Sequence, residues 1–314
     1  MGFRNSETVC LIWGFTLIHC LSSPLLAIQA GGEFDLPTDF PSQRIDDLTG
    51  SSHFASTGAL EITSGSNSYF GSGIALSQNW VLSAGHNVDF NDDGSADTGL
   101  SIDYHLPGFG SYTATGYFTN PSFTGFGNPT VHNDLSLLYF ETPLPELAFP
   151  ALGLSMSIGD QLDVVGFGRS GFGSYGYTTN AGLTDRRIGQ NIADSFEAAS
   201  SGTGLLFRYD FDAPDTFGTV GGSLGNDIET IIAPGDSGGP ALVGYGDEYA
   251  LVGINTFTEG FGGLFGDIGG GVALNDQWEW IFETTGLTPA PEPSHSAMVI
   301  AAVAAIVGYR RRSH

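Results

Sequence analysis

Apolar residues alternate with polar ones over short stretches along most of the chain, and turn residues separate these stretches. The stretches are rich in β-branched and aromatic side chains, which is typical of half-buried strands. In the first half of the pattern they cover residues 59–63, 69–76, 80–82, 111–118 and 135–140. In the second half they cover residues 161–168, 188–193, 205–211, 241–243, 249–257 and 269–274. The pattern predicts an all-β fold of antiparallel strands.

Three parts of the chain depart from this alternation. Residues 169–182 are glycine and aromatic residues without a regular period, and we expect a mobile loop there. Residues 143–150 are proline-rich and predict a crossing between two lobes. Near the end of the apolar pattern, residues 275–285 predict one amphipathic helix, with Asn275 as its N-cap and Gly286 closing it.

The first thirty residues have the composition of a secretory signal peptide. Arg4 precedes an apolar run from Val9 to Leu26, and a small residue, Ala30, suits cleavage. The two cysteines of the chain, at positions 10 and 20, lie in this segment, so a chain cut near Ala30 has no cysteine for a disulfide. Residues 31–57 then form a polar leader or propeptide-like segment.

Residues 287–314 combine a proline-rich linker, an apolar run over 297–309 and a basic end, Arg310 to Arg312. The apolar run is short for a stable membrane span of about 20 residues. Its flanking arginines favour the cytoplasmic side. The order of these parts resembles a bacterial PEP-CTERM sorting tail, which implies an exosortase-type enzyme as a processing partner. The alternative is a plain tail anchor, and in both cases we expect an exported protein, at the cell surface or extracellular, transiently anchored by this tail.

Composition narrows the function further. The chain has 47 glycines among 314 residues, about twice the usual share of ~7%, which fits many turns. All nine basic residues are arginines, and the formal net charge is −25. A surface this acidic repels nucleic acid and anionic membranes, so we exclude nucleic acid as a partner.

The stretch Pro234 to Pro240 reads Pro-Gly-Asp-Ser-Gly-Gly-Pro and places a serine between glycines. Small neighbours allow the amides of Gly235 and Ser237 to converge on one point, where they could hold an oxyanion. The alternative is a glycine-rich turn between two strands.

Two other motifs supply partners for this serine. The stretch Trp-Val-Leu-Ser-Ala-Gly-His ends at His86, and a histidine just past an apolar strand can act as a general base. Asp134 begins the apolar strand that runs to Phe140, where a carboxylate is poised to be buried and to accept an imidazole N–H. The alternatives are a surface histidine and a strand cap.

An acidic loop follows His86. Oxygen-bearing side chains recur at every second position around Gly94, as in a calcium loop, at Asp89, Asn91, Asp93, Ser95 and Asp97. The twelfth position, where an EF-hand has glutamate, is Leu100. A structural calcium ion and a solvated turn rich in Asp and Asn remain open alternatives.

The three motifs together resemble those of the trypsin-like (chymotrypsin-family) serine proteases, over about residues 58–286. The resemblance implies two antiparallel six-stranded Greek-key barrels, at about 58–145 and 155–274, with a C-terminal helix and an active site between the barrels. It implies that Ser237 attacks the scissile carbonyl, that His86 transfers the proton and that Asp134 orients His86. The chain would then be a serine endopeptidase of protein or peptide substrates that needs no cofactor for catalysis.

Spacing from Ser237 in this family also implies the substrate pocket. Its floor would be Ile231 and Ile232, and the remaining pocket positions are Thr256, Phe257, Thr258 and Gly271. Because no acid stands at the floor, we expect cleavage after small or medium apolar side chains rather than after Arg or Lys.

In this family an amine freed by cleavage pairs with the aspartate before the serine, here Asp236. Cleavage after Arg44 would free Ile45, although acidic residues follow where the family has small ones. Arg169 and Arg186 are alternative partners for this carboxylate. The rival function is a catalytically silent protein of the same fold, acting as a binding module or matrix component at the cell surface.

Overall fold

The structure, a computed structural model, describes residues 28–31, 39–127, 132–199, 203–213, 223–224, 229–260 and 262–291. The predicted leader through residue 27 and the tail from residue 292 lie outside these ranges. Among the described residues, no helix is both long enough and apolar enough to cross a membrane.

The first half of the described chain forms one antiparallel sheet. Its strands are β1 (Thr57–Ser64), β2 (Asn67–Ala75), β3 (Trp80–Ser83), β4 (Leu100–Leu106), β5 (Gly110–Thr113), β6 (Gly116–Thr119) and β7 (Ser136–Tyr139). Their order across the sheet is β5-β4-β1-β2-β3-β7-β6. The sequence pattern missed β4 and joined β5 to β6 across a short break.

The second half forms a hairpin and another antiparallel sheet. In chain order the strands are β8 (Gln161–Gly166), β9 (Ser170–Phe172), β10 (Gly176–Thr179), β11 (Arg187–Ile192), β12 (Ser195–Ala198), β13 (Leu205–Asp210), β14 (Pro240–Tyr245), β15 (Glu248–Glu259) and β16 (Ile268–Ala273). The sheet order is β11-β8-β14-β15-β16-β13-β12, and β9 pairs with β10.

The mostly-β fold with two sheets and one helix is as predicted, but two details differ. Each main sheet has seven strands where the resemblance implied six, because short edge strands such as β5 and β12 extend them. The segment 169–182, predicted as a mobile loop, contains the β9–β10 hairpin. Gly176 has φ +87°, a conformation that glycine adopts at low cost, and this turn lets the hairpin close.

The helix α1 (Trp278–Thr285) begins later than predicted. Asn275 does not cap it, because its side chain instead exchanges two hydrogen bonds of 2.9 Å with the backbone of Met156. The N-cap is Gln277, and Gly286 ends the helix in the left-handed region with φ +73°, as the glycine signal predicted.

Buried apolar side chains form a core within each sheet and a third cluster between them. The third cluster joins Ile74, Leu82 and Leu137 of the first sheet to Val165, Leu242 and Ile254 of the second, and Ile281 of α1 packs against it. The two sheets therefore share apolar packing along their junction, which fixes their relative position next to the candidate site.

The segment before β1, predicted as a polar leader, packs on the second sheet. Asp46 forms a buried ion pair with Arg186, whose Nη2 lies 2.8 Å from Asp46 Oδ2 and also donates to the Thr49 carbonyl. Ile45 forms a bridge with Arg187. A buried guanidinium is stable only with such partners, and these arginines hold residues 39–57 against the fold.

Residues 28–30, assigned to the signal peptide by the sequence pattern, lie against the second sheet as well. Ile28 and Ala30 are fully buried, and the Gln29 amide donates to the Ile231 carbonyl at 3.0 Å. Ala30 donates to the Gly171 carbonyl at 3.1 Å, and its own carbonyl accepts from Gly173. These backbone hydrogen bonds join residues 28–30 to the second half of the fold.

Candidate active site

Antiparallel pairing of β3 with β7 brings His86 next to Asp134. Ser83 pairs with Ser136 in this register, so the residues just after β3 and just before β7 meet at one end of the sheet. The imidazole Nδ1 donates to Asp134 Oδ2 at 2.7 Å, and the backbone amide of His86 donates to Oδ1 at 2.8 Å. Asp134 is fully buried, whereas 20% of the His86 side chain is exposed. The carboxylate therefore fixes both the ring and the backbone of the histidine.

Local backbone geometry makes room for this pair. A Cβ at Gly85 would lie 3.0 Å from Asp134 Oδ1, so a larger residue there would press on the carboxylate. Asn133 has φ +62°, a left-handed conformation that asparagine tolerates better than most residues. Gln277, at the start of α1, donates to Asn133 Oδ1 at 2.8 Å. The last element of the fold thus stabilises the turn that presents Asp134.

Ser237 lies on a tight turn before β14, and the turn is bound from both sheets. The Ser237 carbonyl accepts from the Ser72 amide at 2.9 Å, and Gly238 donates to the Asn255 carbonyl at 2.8 Å. Gly235 and Gly238 have φ +101° and +87°, which favour glycine. At Gly235 a Cβ would also lie only 2.8 Å from Gly168 Cα. The glycines flanking the serine are therefore required by the turn.

The amides of Gly235 and Ser237 are the predicted oxyanion donors. Neither donates to a backbone carbonyl within the described part of the chain. Donation from these two amides to an oxyanion stays a prediction.

His86 and Ser237 line the same cavity, of about 240 Å³, at the junction of the two sheets. Its other lining residues are Phe126, Ile232, Ala233, Pro234, Thr256, Phe257 and Thr258. The Phe126 ring lies 4.5 Å from the imidazole, centroid to centroid. The cavity is walled mainly by apolar side chains and backbone.

Four of the six predicted pocket residues line this cavity, namely Ile232, Thr256, Phe257 and Thr258. Ile231 does not, because it is fully buried and its carbonyl pairs with the segment containing Gln29. Gly271 does not either, because it packs against the backbone of β15: a Cβ there would lie 1.9 Å from the Ile254 carbonyl oxygen. Phe126 was missed because only long-range packing brings it to the cavity, whereas Ala233 and Pro234 were missed although they directly precede the serine turn.

Asp236, next to the serine, is a second fully buried carboxylate. Its Oδ1 accepts from the Gly168 amide at 2.7 Å, and Oδ2 accepts from the Ala233 amide at 2.9 Å. Burial raises the pKa of Asp236 to about 7, and the amides of Gly168, Ala233 and Ile28 together with the Arg187 charge only partly counter this effect. At Gly166 a Cβ would lie 2.1 Å from Oδ1, so glycine is needed there.

Neither arginine proposed from the sequence pairs with Asp236. Arg186 is held by Asp46, and the Arg169 guanidinium lies over the Tyr177 ring at 4.9 Å. Instead, the backbone of Ile28 lies close enough to the carboxylate to oppose, slightly, the rise in its pKa. The aliphatic residue that the structure brings to Asp236 is therefore Ile28 rather than Ile45.

The acidic loop after His86 uses its side-chain oxygens on its own backbone. Asp89, which is buried, accepts from the amides of Asp93 and Gly94, and Asn91 also accepts from Asp93. Asp93 accepts from Ser95, and Asp97 accepts from Phe90. Across the described residues, no group of three or more His, Cys, Asp or Glu side chains is arranged to hold a metal ion. In this arrangement the five predicted ligands fit a turn stabilised by Asp and Asn side chains, and calcium binding stays a prediction.

The chain belongs to the trypsin family. The family model described as Trypsin matches residues 49–281, which include both sheets and all the residues proposed for catalysis. No curated protein matches the chain. Membership of this family supports a function of the serine-protease type, acting on proteins or peptides.

Proposed function

We propose that the chain is a serine endopeptidase in which Ser237, His86 and Asp134 carry out the reaction. The observation that carries the proposal is the buried Asp134 bound to the His86 ring at 2.7 Å, with the same ring and Ser237 lining one cavity. Family membership supports the same chemistry.

In this mechanism Ser237 Oγ attacks the carbonyl carbon of the scissile bond while His86 Nε2 takes the hydroxyl proton. The imidazolium is stabilised by Asp134, to which its Nδ1–H already donates. The tetrahedral intermediate collapses, the C–N bond breaks, and His86 gives its proton to the leaving amine. Water then attacks the acyl-enzyme in the same way, releasing the carboxylic acid and restoring Ser237.

The charge that develops on the carbonyl oxygen is stabilised by the amides of Gly235 and Ser237. One such donor is typically worth about 3 kcal/mol of transition-state stabilisation. The turn that holds them depends on Asp236, which accepts from the Ala233 amide just before the turn and from the Gly168 amide of the segment after β8.

The preferred substrate has a small or medium apolar side chain before the cleaved bond. Ile232, Phe257 and Thr258 line the cavity, and none of its lining residues carries a carboxylate that could pair with Arg or Lys. An apolar slot separates similar side chains by only about 1–3 kcal/mol per methylene, so we expect a preference rather than strict selection.

Labelling with a fluorophosphonate probe, which reacts with activated serines, tests the proposal. The mature domain should be labelled and should cleave a peptide library after apolar residues, and the Ser237→Ala variant should do neither. A wild-type chain that neither labels nor cleaves would favour the silent binding protein instead, and labelling that persists in Ser237→Ala would show that Ser237 is not the reactive serine.

The proposed enzyme matures by cleavage of the bond before Ile28. The Ile28 backbone lies near enough to Asp236 to affect its pKa. Ile28, Gln29 and Ala30 are buried, and Gln29 and Ala30 are hydrogen-bonded to the second half of the fold. Cleavage there would convert the amide into an ammonium group beside the carboxylate, which is the pairing that the family resemblance implies. The cut then falls at the end of the apolar leader, before Ile28 rather than after Ala30 or Arg44.

Intact-mass measurement of the exported protein tests this site. We expect a mature chain that begins at Ile28, and a form that retains Ala27 should show lower activity because its first amine is displaced from Asp236. A fully active chain that begins at residue 31 or at Ile45 would refute the assignment.

Export of the enzyme and its sorting through residues 287–314 rest on the sequence pattern of the leader and tail. We propose that an exosortase-type enzyme processes the tail and leaves the protease domain at the cell surface or outside the cell. Fractionation of cells expressing the full chain, with and without residues 294–314, should show retention at the surface only with the tail.

A further inference from the structure

Asn87, the residue directly after His86, reaches from the first sheet to the turn that carries Ser237. It ends the short helical turn Gly85–Asn87, and its side chain is only 5% exposed. Its Nδ2 donates to Ser83 Oγ at 3.0 Å and to the Ser237 carbonyl at 2.9 Å. The same three-residue turn therefore carries the proposed base and a hydrogen bond to the proposed nucleophile.

The partners of Asn87 form a connected set of hydrogen bonds. Ser83 Oγ, which accepts from Asn87, donates in turn to the Ser72 carbonyl at 2.8 Å. The Ser72 amide donates to the Ser237 carbonyl at 2.9 Å, so that one oxygen receives two donors from the first sheet. Linked buried hydrogen bonds polarise one another and hold a single geometry, because leaving any member unpaired is costly.

The fold provides space for this side chain at Gly71 on β2. A Cβ at Gly71 would lie 2.7 Å from Asn87 Nδ2 and 3.0 Å from its Cγ, so a larger residue would displace the amide. Gly71 also has an ordinary strand partner, Leu60, which keeps its backbone fixed. The side-chain position of Asn87 is thus set by packing as well as by its two acceptors.

We propose that Asn87 is a positioning residue for catalysis, fixing the separation between His86 and Ser237 through the Ser237 carbonyl. This inference rests on the proposed function, since it assigns a role within the same site. Asn87 contacts neither substrate nor the reacting atoms, and its effect is exerted through the backbone of Ser237. Without it, the turn is bound to the first sheet through Ser72 alone among these contacts, and the serine is free to shift relative to the imidazole.

Replacing Asn87 with alanine should lower kcat about 10- to 100-fold, because a displacement near 1 Å in a reacting pair can have an effect of that size. KM should change by less than about twofold, since the cavity lining does not include Asn87. The rate of fluorophosphonate labelling should fall in parallel, because it reports the reactivity of Ser237 directly.

Asn191 offers a matched control. It is also a buried asparagine whose Nδ2 donates to two carbonyls, those of Asp210 and Thr230, and neither residue lines the cavity. Asn191→Ala should lower the melting temperature about as much as Asn87→Ala but leave kcat within about twofold of wild type. Equal kcat in the two variants, measured well below their melting temperatures, would overturn the proposal.

Comparison of the wild-type, Ser237→Ala and Asn87→Ala proteins distinguishes failure of the proposed function from failure of the role of Asn87. If wild-type protein shows no labelling beyond Ser237→Ala, the proposed function fails. If wild-type protein labels and cleaves normally and Asn87→Ala does the same, only the role of Asn87 fails.

Discussion

Two aspartates lie fully buried beside the same cavity, and their surroundings differ. Asp134, on the first sheet, binds the ring and the amide of His86, so it has a partner that can become a cation. Asp236, on the second sheet, has only neutral backbone amides as direct partners, and its pKa is raised to about 7. The first carboxylate has a direct partner that can become a cation, whereas the second has only the more distant Arg187 charge and, under the proposed cleavage before Ile28, would gain an ammonium partner.

The largest expected effect concerns Asp134. In the Asp134→Asn variant the side-chain amide faces Nδ1 and favours the wrong imidazole tautomer, so kcat should fall about 10⁴-fold, as in the Ser-His-Asp template. Steady-state kinetics on a cleaved peptide at pH 7.5 would measure the loss. A fall of less than tenfold would mean that Asp134 is not the orienting group.

Asp236→Asn should have the next largest effect, and only after processing. In the processed protein it removes the partner of the Ile28 ammonium and loosens the turn that holds both oxyanion donors, so kcat should fall about 10²- to 10³-fold. In unprocessed protein the substitution should lower the free energy of unfolding by less, since it leaves one backbone amide without an acceptor but breaks no ion pair with an ammonium group. An equal loss of stability in both forms would contradict the proposed cut before Ile28.

Glu229, on the second sheet, is another buried carboxylate, and its protonation should make the free energy of unfolding depend on pH. It is buried, and neither carboxylate oxygen makes a hydrogen bond of normal geometry within the described part of the chain. Burial, then the charges of Asp212 and Asp210, raise its pKa to about 8, while the nearby Asp212 amide has a smaller opposing effect. The folded protein therefore keeps a proton that the unfolded chain releases near pH 4.5.

The free energy of unfolding should consequently fall as the pH rises from 4.5 to about 8, by at most about 1.4 kcal/mol per pH unit from this group. Urea unfolding of Glu229→Gln at several pH values should show a flatter dependence than wild type. Glu248→Gln, at an exposed position, is the matched control and should keep the wild-type slope. Identical slopes for all three proteins would mean that Glu229 is ionised in the folded state.

The smallest expected effect is that of calcium on the first sheet. Because the oxygens of the loop 89–97 already accept from its own amides, calcium should raise the free energy of unfolding by less than about 1 kcal/mol. Melting curves in calcium and in EDTA, with Asp93→Asn as the control, would measure it. A larger shift that is absent in Asp93→Asn would show a calcium site.

Local sequence patterns predicted most of the strands, although not β4 or the β9–β10 hairpin, and they also indicated the residues proposed to act in catalysis. Val81 and Leu138 occupy paired strands whose short apolar runs are visible in the sequence, and this pairing brings His86 near Asp134. The turn around Ser237 was recognisable because its glycines have conformations that few other residues adopt. These features depend on a few neighbouring residues, which a single sequence displays.

The residues that sequence analysis missed depend on contacts between distant segments. Nothing near Asn87 in the sequence indicates that its amide reaches a carbonyl 150 residues away. Likewise, Ile28 appeared to end an apolar leader, and only the second sheet gives it a buried position. Gly271 was assigned to the pocket by its spacing from Ser237. That spacing does not show that Gly271 packs against the backbone of β15.

Each end of the folded domain is bound to the sheet formed by the opposite half of the chain. Residues 39–57 come before the first sheet but are held on the second through the Asp46–Arg186 pair. Gln277, after the second sheet, is bound to Asn120 and Asn133 of the first. Each half of the polypeptide is therefore bound to the other half through one of its end segments. Cleavage of one peptide bond within residues 143–150 should leave two fragments that stay assembled.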